Sequence, residues 1–295
     1  MILAICYSFY SPALKSIVAD LFDKNDIPKV NSIQNIFSES LKIIGPIIGI
    51  IVYKYIGFTG ALLINALSFY LAALNEYRFI NINSSNNILK EKQKINIIGE
   101  FLEGFKYIKT EKQILNSLII IALLNFILAG FNLILPYIYK LHNSRFLDTN
   151  TYGLILTIEA IGGILGGYIY SKFDKRLQEL NINVLLILIG ISVFCIWGSF
   201  KVYLYLMYVG FFFIGFSLSI FNISFFSNIQ INTNNKYLGR VFSVIFTLAS
   251  VLMPIGNFTF NLLIDIYKLD TFLIISLLLF MLSILNYALN KINLV

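Results

Sequence analysis

The stretch VLLILIGISVFCIWGSF, which occupies Val184–Phe200, contains no charged residue and is apolar at nearly every position. A membrane-spanning helix needs about 20 predominantly apolar residues, whereas a strand of an outer-membrane barrel alternates apolar and polar side chains over about ten residues. This stretch is too long and too evenly apolar for such a strand. It therefore predicts a helix that crosses a lipid bilayer.

The composition of the whole chain indicates the same class of structure. Of its 295 residues, 58% are hydrophobic and 13% are charged, whereas roughly a quarter of the residues in an ordinary soluble domain are charged. So few polar groups cannot cover a water-facing surface, which argues against a soluble enzyme, a disordered chain and a nucleic-acid binder. One histidine and two isolated cysteines offer no ligand set for a metal ion, and no cofactor is expected.

The apolar runs predict an all-α, polytopic membrane protein with nine helical spans. The spans cover about residues 1–21, 31–53, 58–74, 114–139, 152–170, 184–200, 203–226, 241–266 and 271–289. The long polar stretch predicts three regions: a partial N-terminal bundle of three helices (1–80), a cytoplasmic linker (81–113) and a six-helix bundle (114–295). Within the linker, Ile97–Thr110 has apolar residues at helical spacing. This spacing indicates either an amphipathic helix at the membrane surface or an ordinary linker with one helical turn.

The positive residues predict the orientation. Outside the spans, Lys and Arg divide 15 to 5 between the two sides of the membrane, and cytoplasmic loops carry the excess. The central loop and the C-terminus of this multi-pass cell-membrane protein are therefore expected in the cytoplasm. The same bias explains the basic loop Asp174-Lys175-Arg176 and the pair Gly239-Arg240. Alternatively, these residues form a cytoplasmic latch that holds helices together through charge pairs.

Charged residues inside spans are candidates for function, because hydrocarbon makes them costly. Glu159 lies in the middle of a span, where it either takes up and releases protons during transport or makes a structural hydrogen bond. Glu39 and Lys42 are three residues apart on one helix face. They form either a mutually neutralised structural pair or a pair that lines a cavity. Lys15 is near enough to a cytoplasmic end to extend its ammonium to the interface.

Glycine and proline residues mark expected packing and hinge positions. Proline kinks a membrane helix, and glycine lets a neighbouring backbone approach closely, although ordinary packing kinks produce the same pattern. The positions concerned are Gly45, Pro46, Gly49, Gly162, Gly163, Gly166, Gly167, Pro254 and Gly256.

Several segments resemble, in order and spacing, the fourth to eleventh helices of the major facilitator superfamily, in the branch that contains macrolide-efflux and siderophore-exporter proteins. The resemblance implies that about nine helices of an expected twelve are present and that the first three are lacking, in a truncated chain. The segments that carry it include Ser11-Pro12-Ala13, Gly45-Pro46, Ile64-Asn65-Ala66-Leu67-Ser68-Phe69, Glu103-Gly104-Phe105, Tyr152-Gly153-Leu154 and Gly239-Arg240-Val241-Phe242-Ser243.

This resemblance implies a secondary active transporter and not an enzyme. The implied activity is proton-coupled efflux of hydrophobic or amphipathic small molecules by alternating access. The expected partners are the lipid bilayer, a small-molecule substrate of unknown identity and protons as the coupling ion, with no nucleic acid. One alternative is a nine-helix membrane subunit of a multi-component, for example ATP-driven, transporter. Another is an intramembrane enzyme, although the spans offer no convergent set of catalytic side chains.

Overall fold

A computed structural model of the chain describes residues 2–83, 97–141, 149–173, 182–203 and 205–292. Within these ranges every regular element is a helix, which confirms the predicted all-α class. A single 3-10 turn, Lys268–Asp270, precedes the last helix. The helices are α1 (Ile2–Leu21), α2 (Ile27–Asn83), α3 (Ile97–Thr110), α4 (Lys112–Leu141), α5 (Thr149–Lys172), α6 (Ile182–Ser199), α7 (Tyr205–Asn232), α8 (Asn235–Tyr267) and α9 (Thr271–Ile292).

Each predicted span lies mainly on one of these helices, but α2 contains two of them. Gly57 interrupts α2 with a φ of 75° and a ψ of −177°. Glycine adopts a positive φ without strain, so it separates the predicted spans 31–53 and 58–74. By length and hydropathy, six described stretches can cross a bilayer, and two of them, of 52 and 57 residues, are long enough for two crossings each. The number of nine spans stays a prediction.

Packing divides the chain into two units. The first combines Met1–Ser40 with Ile98–Val295, and the second is Leu41–Ile97. The predicted boundaries at residues 80 and 113 follow the polar linker instead, because they were drawn from composition. As boundaries between the two bundles of a transporter, they stay a prediction.

In the first unit, α4 to α9 form a closely packed bundle. Helix α5 packs against α7, α6 packs against α7 and α9, α4 packs against α8, and α1 lies along α8. Lipid tails are as apolar as these side chains, so membrane helices associate through close packing and interhelical hydrogen bonds rather than through the hydrophobic effect. The fit of large enclosed rings therefore holds this bundle together. These rings belong to Phe211, Phe221, Phe242, Phe260 and Phe272.

In the second unit, the described side chains belong to residues 41–78 of α2. Large apolar side chains lie open along this segment, with Ile50 70% exposed, Tyr55 76% exposed and Leu63 67% exposed. A continuous apolar surface of this kind marks a site that contacts a membrane or another protein. Its composition suits the hydrocarbon of a bilayer.

The amphipathic linker segment forms a 14-residue helix, α3. Ile108 on this helix is fully buried, while Glu103 and Lys106 are exposed. The ring of Tyr107 stacks on Tyr237 at the start of α8, with ring centroids 4.5 Å apart and planes at 12°. Of the two sequence alternatives for this segment, the structure therefore has the helix, docked on the bundle of the first unit.

Candidate functional site

A cavity of about 580 Å³ lies between α1, the 31–38 part of α2, α7 and α8, all within the first unit. Small-molecule sites in proteins typically have volumes of about 300 to 1,000 Å³. The wall of the cavity combines aromatic rings with amide, hydroxyl and ammonium groups. It is formed by Tyr7, Tyr10, Ser11, Leu14, Lys15, Asn31, Ile33, Gln34, Asn35, Phe37, Ser38, Asn222, Ile223, Phe226 and Phe246.

Lys15 places a positive charge on the wall of this cavity. Its Nζ donates a hydrogen bond to Gln34 Oε1 over 3.1 Å and lies 4.6 Å from the centroid of the Phe226 ring. The sequence predicted that this ammonium would extend to the membrane interface. The structure instead holds it between a neutral amide and an aromatic ring, because α1 turns this side chain towards α2 and α7.

Buried amides beside the cavity connect α1, α2 and α7. Asn31 Nδ2 donates to Ser227 Oγ over 2.9 Å and to Gln230 Oε1 over 2.5 Å. Gln230 Nε2 donates to the backbone carbonyl of Lys15 over 2.6 Å. Asn31 and Gln230 are only 2% and 1% exposed. Polar side chains that pair across helices hold membrane bundles together, so this network anchors α1 and α2 to α7.

A further hydrogen bond joins α1 to α8 at the same end of the bundle. Asn235 Nδ2 donates to Asp20 Oδ1 over 3.2 Å. Asp20 and Asn31 flank the turn between α1 and α2, while Gln230 and Asn235 flank the turn between α7 and α8. The hydrogen bonds that join α1 and α2 to α7 and α8 are therefore concentrated near these two turns.

Two of the four predicted packing glycines in α5 face α7. A Cβ on Gly162 would strike the carbonyl oxygen of Phe212, and a Cβ on Gly166 would lie 2.6 Å from the carbonyl oxygen of Phe216. Because the obstructing atoms are backbone atoms, a larger residue would have to push the helices apart. The absence of side chains at these positions lets α5 and α7 approach closely.

The other two packing glycines of α5 face the first part of α2. A Cβ on Gly163 would lie 2.7 Å from Glu39 Cγ, and a Cβ on Gly167 would lie 2.8 Å from Ile36 Cγ1. Glu39 is half-buried and therefore packs against α5, outside the cavity wall. Lys42 is exposed in the second unit. The roles predicted for Glu39 and Lys42 as a pair stay predictions.

Glu159 lies at the contact between α5 and α7. It is half-buried, and its backbone carbonyl lies where a Cβ on Gly215 of α7 would be. It does not belong to the cavity wall. The structure thus places the backbone of Glu159 at a tight helix contact, and proton coupling at Glu159 stays a prediction.

The glycine-proline motif of the second predicted span lies in the second unit. Gly45, Pro46 and Gly49 are exposed, and a Cβ on either glycine would meet no atom within 4 Å. The role of this motif in packing or bending stays a prediction.

The second glycine-proline pair lies in α8. Pro254 is exposed within the helix, whereas Gly256 is buried, and a Cβ there would lie 2.7 Å from the carbonyl oxygen of Phe126 on α4. Gly130 on α4 makes room for α8 in the same way, because the ring of Phe260 on α8 fills the space that a Cβ on Gly130 would need. Small residues therefore bring α4 and α8 together as they do α5 and α7.

The predicted cytoplasmic latch is described only in part. Arg240 Nη1 pairs with Glu103 Oε2 of α3 over 2.5 Å, and a Cβ on Gly104 would lie 2.8 Å from the Arg240 carbonyl oxygen. Gly239 is half-buried beside this pair, with Ser16 Oγ 3.9 Å from where its Cβ would lie. Asp174, Lys175 and Arg176 lie outside the described residues. Arg240 thus has its charge partner on the linker helix.

Sequence reasoning did not identify the residues that form the cavity and its polar network. The sequence patterns single out neither Asn31 nor Gln230, and they predict that Lys15 extends to the interface. A polar amide inside an apolar run is itself a signal, because an unpaired amide in hydrocarbon is costly. That signal could have singled out both residues, but it could not pair them, since they are 199 positions apart.

A bundle of long apolar helices with a cavity between helices from the beginning and the end of the chain defines a polytopic membrane protein of the transporter class. The sequence pattern of the Major Facilitator Superfamily matches residues 1–257. The chain belongs to this superfamily, and its members are transporters rather than enzymes.

Two similar proteins are each named Macrolide efflux protein A. The one from Streptococcus pyogenes and the one from Enterococcus faecalis are both 24% identical to this chain over 257 residues, or 84% of its length. The matched region covers 61% of the streptococcal protein and 76% of the enterococcal protein. This chain thus spans about three fifths of the streptococcal relative. Both similarities support the macrolide-efflux branch that the motifs predicted.

Proposed function

We propose that this protein exports hydrophobic or amphipathic small molecules across the cell membrane by alternating access. The cavity between α1, α2, α7 and α8 is the proposed substrate site. Membership of the Major Facilitator Superfamily supports transport, and the names of the two macrolide efflux relatives support export. The alternatives of an ATP-driven membrane subunit and an intramembrane enzyme do not agree with that membership.

The mixed wall of the cavity is the observation that carries the proposal. Rings such as Tyr7, Phe37 and Phe246 offer apolar surface to the hydrophobic part of a ligand. Lys15 and Gln34 offer hydrogen bonds to its polar part. Ligand sites typically combine a mainly apolar surface with a few polar groups that fix orientation. A cavity with this wall suits a molecule that has both parts.

Alternating access requires the cavity to open to one side of the membrane at a time, as two helix bundles rock about the site. The hydrogen bonds of Asn31 with Gln230 and of Asp20 with Asn235 join helices from the two ends of the chain. They lie close to Lys24 in the turn between α1 and α2, to Lys29 at the start of α2 and to Lys236 at the start of α8, on the side predicted to be cytoplasmic. These hydrogen bonds are therefore the proposed cytoplasmic gate, closed in this conformation.

Glu159 is the proposed proton-coupling residue. A carboxyl group in hydrocarbon favours its neutral form, and it favours its charged form when water reaches it. The backbone of Glu159 lies where α5 contacts α7, and we propose that a change in the charge of its side chain alters this contact. Proton uptake from one side and release to the other would then bias the direction in which the cavity opens.

Efflux from bacterial cells that lack their own drug exporters tests the proposal. Expression of the protein should lower the accumulation of a fluorescent amphipathic dye, and a proton uncoupler should restore accumulation. Glu159→Gln should abolish the part of the efflux that is sensitive to the uncoupler. Asp265→Asn, which removes an exposed carboxylate of α8, is the matched control and should behave like the wild type.

The outcomes separate the two parts of the proposal. Unchanged accumulation of every probe, with the protein verified in the membrane, would refute export by this chain. Uncoupler-sensitive efflux that persists in Glu159→Gln would refute only the coupling role of Glu159.

A further inference from the structure

Among the described residues of the cavity wall, the one charged side chain is positive. Of these fifteen described residues, only Lys15 carries a charge at neutral pH, and none is an aspartate or glutamate. The polar remainder consists of hydroxyl and amide groups, such as those of Ser11, Gln34 and Asn222. The charge on the described wall therefore makes the electrostatic potential inside the cavity positive.

The described structure offers Lys15 only neutral partners. Its Nζ has Gln34 Oε1 at 3.1 Å and the Phe226 ring at 4.6 Å. Within the described ranges, no carboxylate oxygen lies within 4.0 Å of this nitrogen, whereas Lys201 and Arg240 each have one. Among the described residues, Lys15 is thus a cation inside the helix bundle with no carboxylate partner.

Three carboxylates on adjoining elements contact other groups. Asp20 accepts a hydrogen bond from Asn235. Glu39 packs against Gly163 of α5, and Glu103 pairs with Arg240. None of them belongs to the described cavity wall, so none of these three carboxylates neutralises Lys15.

An unbalanced ammonium in a low-dielectric site attracts an anion and repels a cation. Lys15 has three N–H donors, and Gln34 accepts from one of them. Two donors therefore remain for a ligand, a number that fits the two oxygens of a carboxylate. The rings of Tyr7, Phe37 and Phe246 lie on the same wall and can cover an apolar chain or ring.

We infer that the cavity selects amphipathic molecules that carry a carboxylate or a similar anionic group, which binds Lys15. Neutral analogues bind more weakly, and amphipathic cations are disfavoured. This inference rests on the proposed function, because it takes the cavity to be the substrate site. It assigns the substrate class by charge and makes Lys15 the residue that decides it.

Binding to the purified full chain in lipid nanodiscs tests the inference. The probes are dansylaminoundecanoic acid and its uncharged primary amide, which share the same ring and alkyl chain. Removing one member of a buried charge pair typically lowers affinity by about 30-fold or more. The acid should therefore bind the wild type about 30-fold more tightly than the amide.

Three variants separate charge from packing. Lys15→Gln should abolish the preference for the acid, while Lys15→Arg should retain it. Lys201→Gln is the matched control, because Lys201 also lies over an aromatic ring, 4.1 Å from the centroid of Trp197, but does not belong to the cavity wall. It should bind both probes as the wild type does.

Equal affinity of the wild type for acid and amide would overturn the inference, and so would an acid preference that survives in Lys15→Gln. If cells still export a neutral amphipathic dye in that case, the proposed function stands and only the inference about Lys15 fails. If neither probe binds and no probe is exported, both the inference and the proposed function fail.

Discussion

The bundle of α4 to α9 and the exposed part of α2 are both strongly apolar, but their side chains have different surroundings. In the most apolar window of α4, 61% of the residues are buried inside the protein, whereas none is buried in the corresponding window of residues 27–78. Hydropathy alone does not distinguish these cases, because a helix core and a bilayer both accept apolar side chains. The difference shows that apolarity predicts a membrane helix but does not predict its contacts.

Small residues illustrate the same difference. Gly162 of α5 leaves room for a carbonyl oxygen of α7, whereas Gly45 of α2 has open space where its Cβ would be. The two glycines have similar sequence surroundings, in that each lies in an apolar run with further glycines nearby. Substitutions matched between the two regions can therefore measure how much packing contributes to stability.

The largest expected effect is that of adding a side chain at the contact between α5 and α7. Gly162→Leu should lower the free energy of unfolding by about 3 kcal/mol, because the new side chain meets backbone atoms that cannot move independently. Gly45→Leu should be neutral or slightly stabilising, since leucine is the better helix former. Unfolding in a detergent–SDS titration measures both. Similar losses in the two variants would contradict the contrast between the regions.

A smaller effect is expected when a buried amide is removed. Asn31→Leu loses the hydrogen bonds to Ser227 and Gln230 and should cost about 1 to 2 kcal/mol. Asn65→Leu changes an exposed amide in the other region and should cost little. A double-mutant cycle with Gln230→Leu should reveal coupling with Asn31 and none with Asn65. Additive effects of Asn31→Leu and Gln230→Leu would show that the pair does not contribute to stability.

The smallest effect is expected at the ion pair between α3 and α8. Glu103 is 60% exposed, and surface ion pairs contribute about 0.2 to 1 kcal/mol. Arg240→Gln should therefore destabilise the protein within that range at low salt, and the difference should shrink at high salt. Arg78→Gln, at an exposed position of the second unit, should change stability even less. A loss at Arg240 that is independent of salt would indicate packing rather than charge.

Much of the fold was predictable from short segments of sequence. Val184–Phe200 predicted a helix that coincides closely with α6, and the break between the second and third spans falls at Gly57. The amphipathic spacing of Ile97–Thr110 predicted α3 as one of two alternatives. These features depend on neighbours within one or two turns, so composition and periodicity were sufficient.

The candidate site was much less predictable. Glu159 and Glu39 attracted attention as charges within spans, but neither belongs to the cavity wall. Lys15, which does belong to it, is predicted from sequence at the membrane interface because it is near a cytoplasmic helix end. Its partner Gln34 is on the next helix, and the ring that covers it, Phe226, comes from the last third of the chain.

Local composition was thus enough to establish an all-helical membrane protein, and the order of its motifs was enough to indicate the family. The folded arrangement decided which glycines are packed, which amides are paired and which cation faces the cavity. The physical reason is the range of the interactions involved. Transfer of an apolar segment into hydrocarbon is summed residue by residue along the chain. Hydrogen bonds and close backbone contacts exist only when helices that are distant in sequence meet.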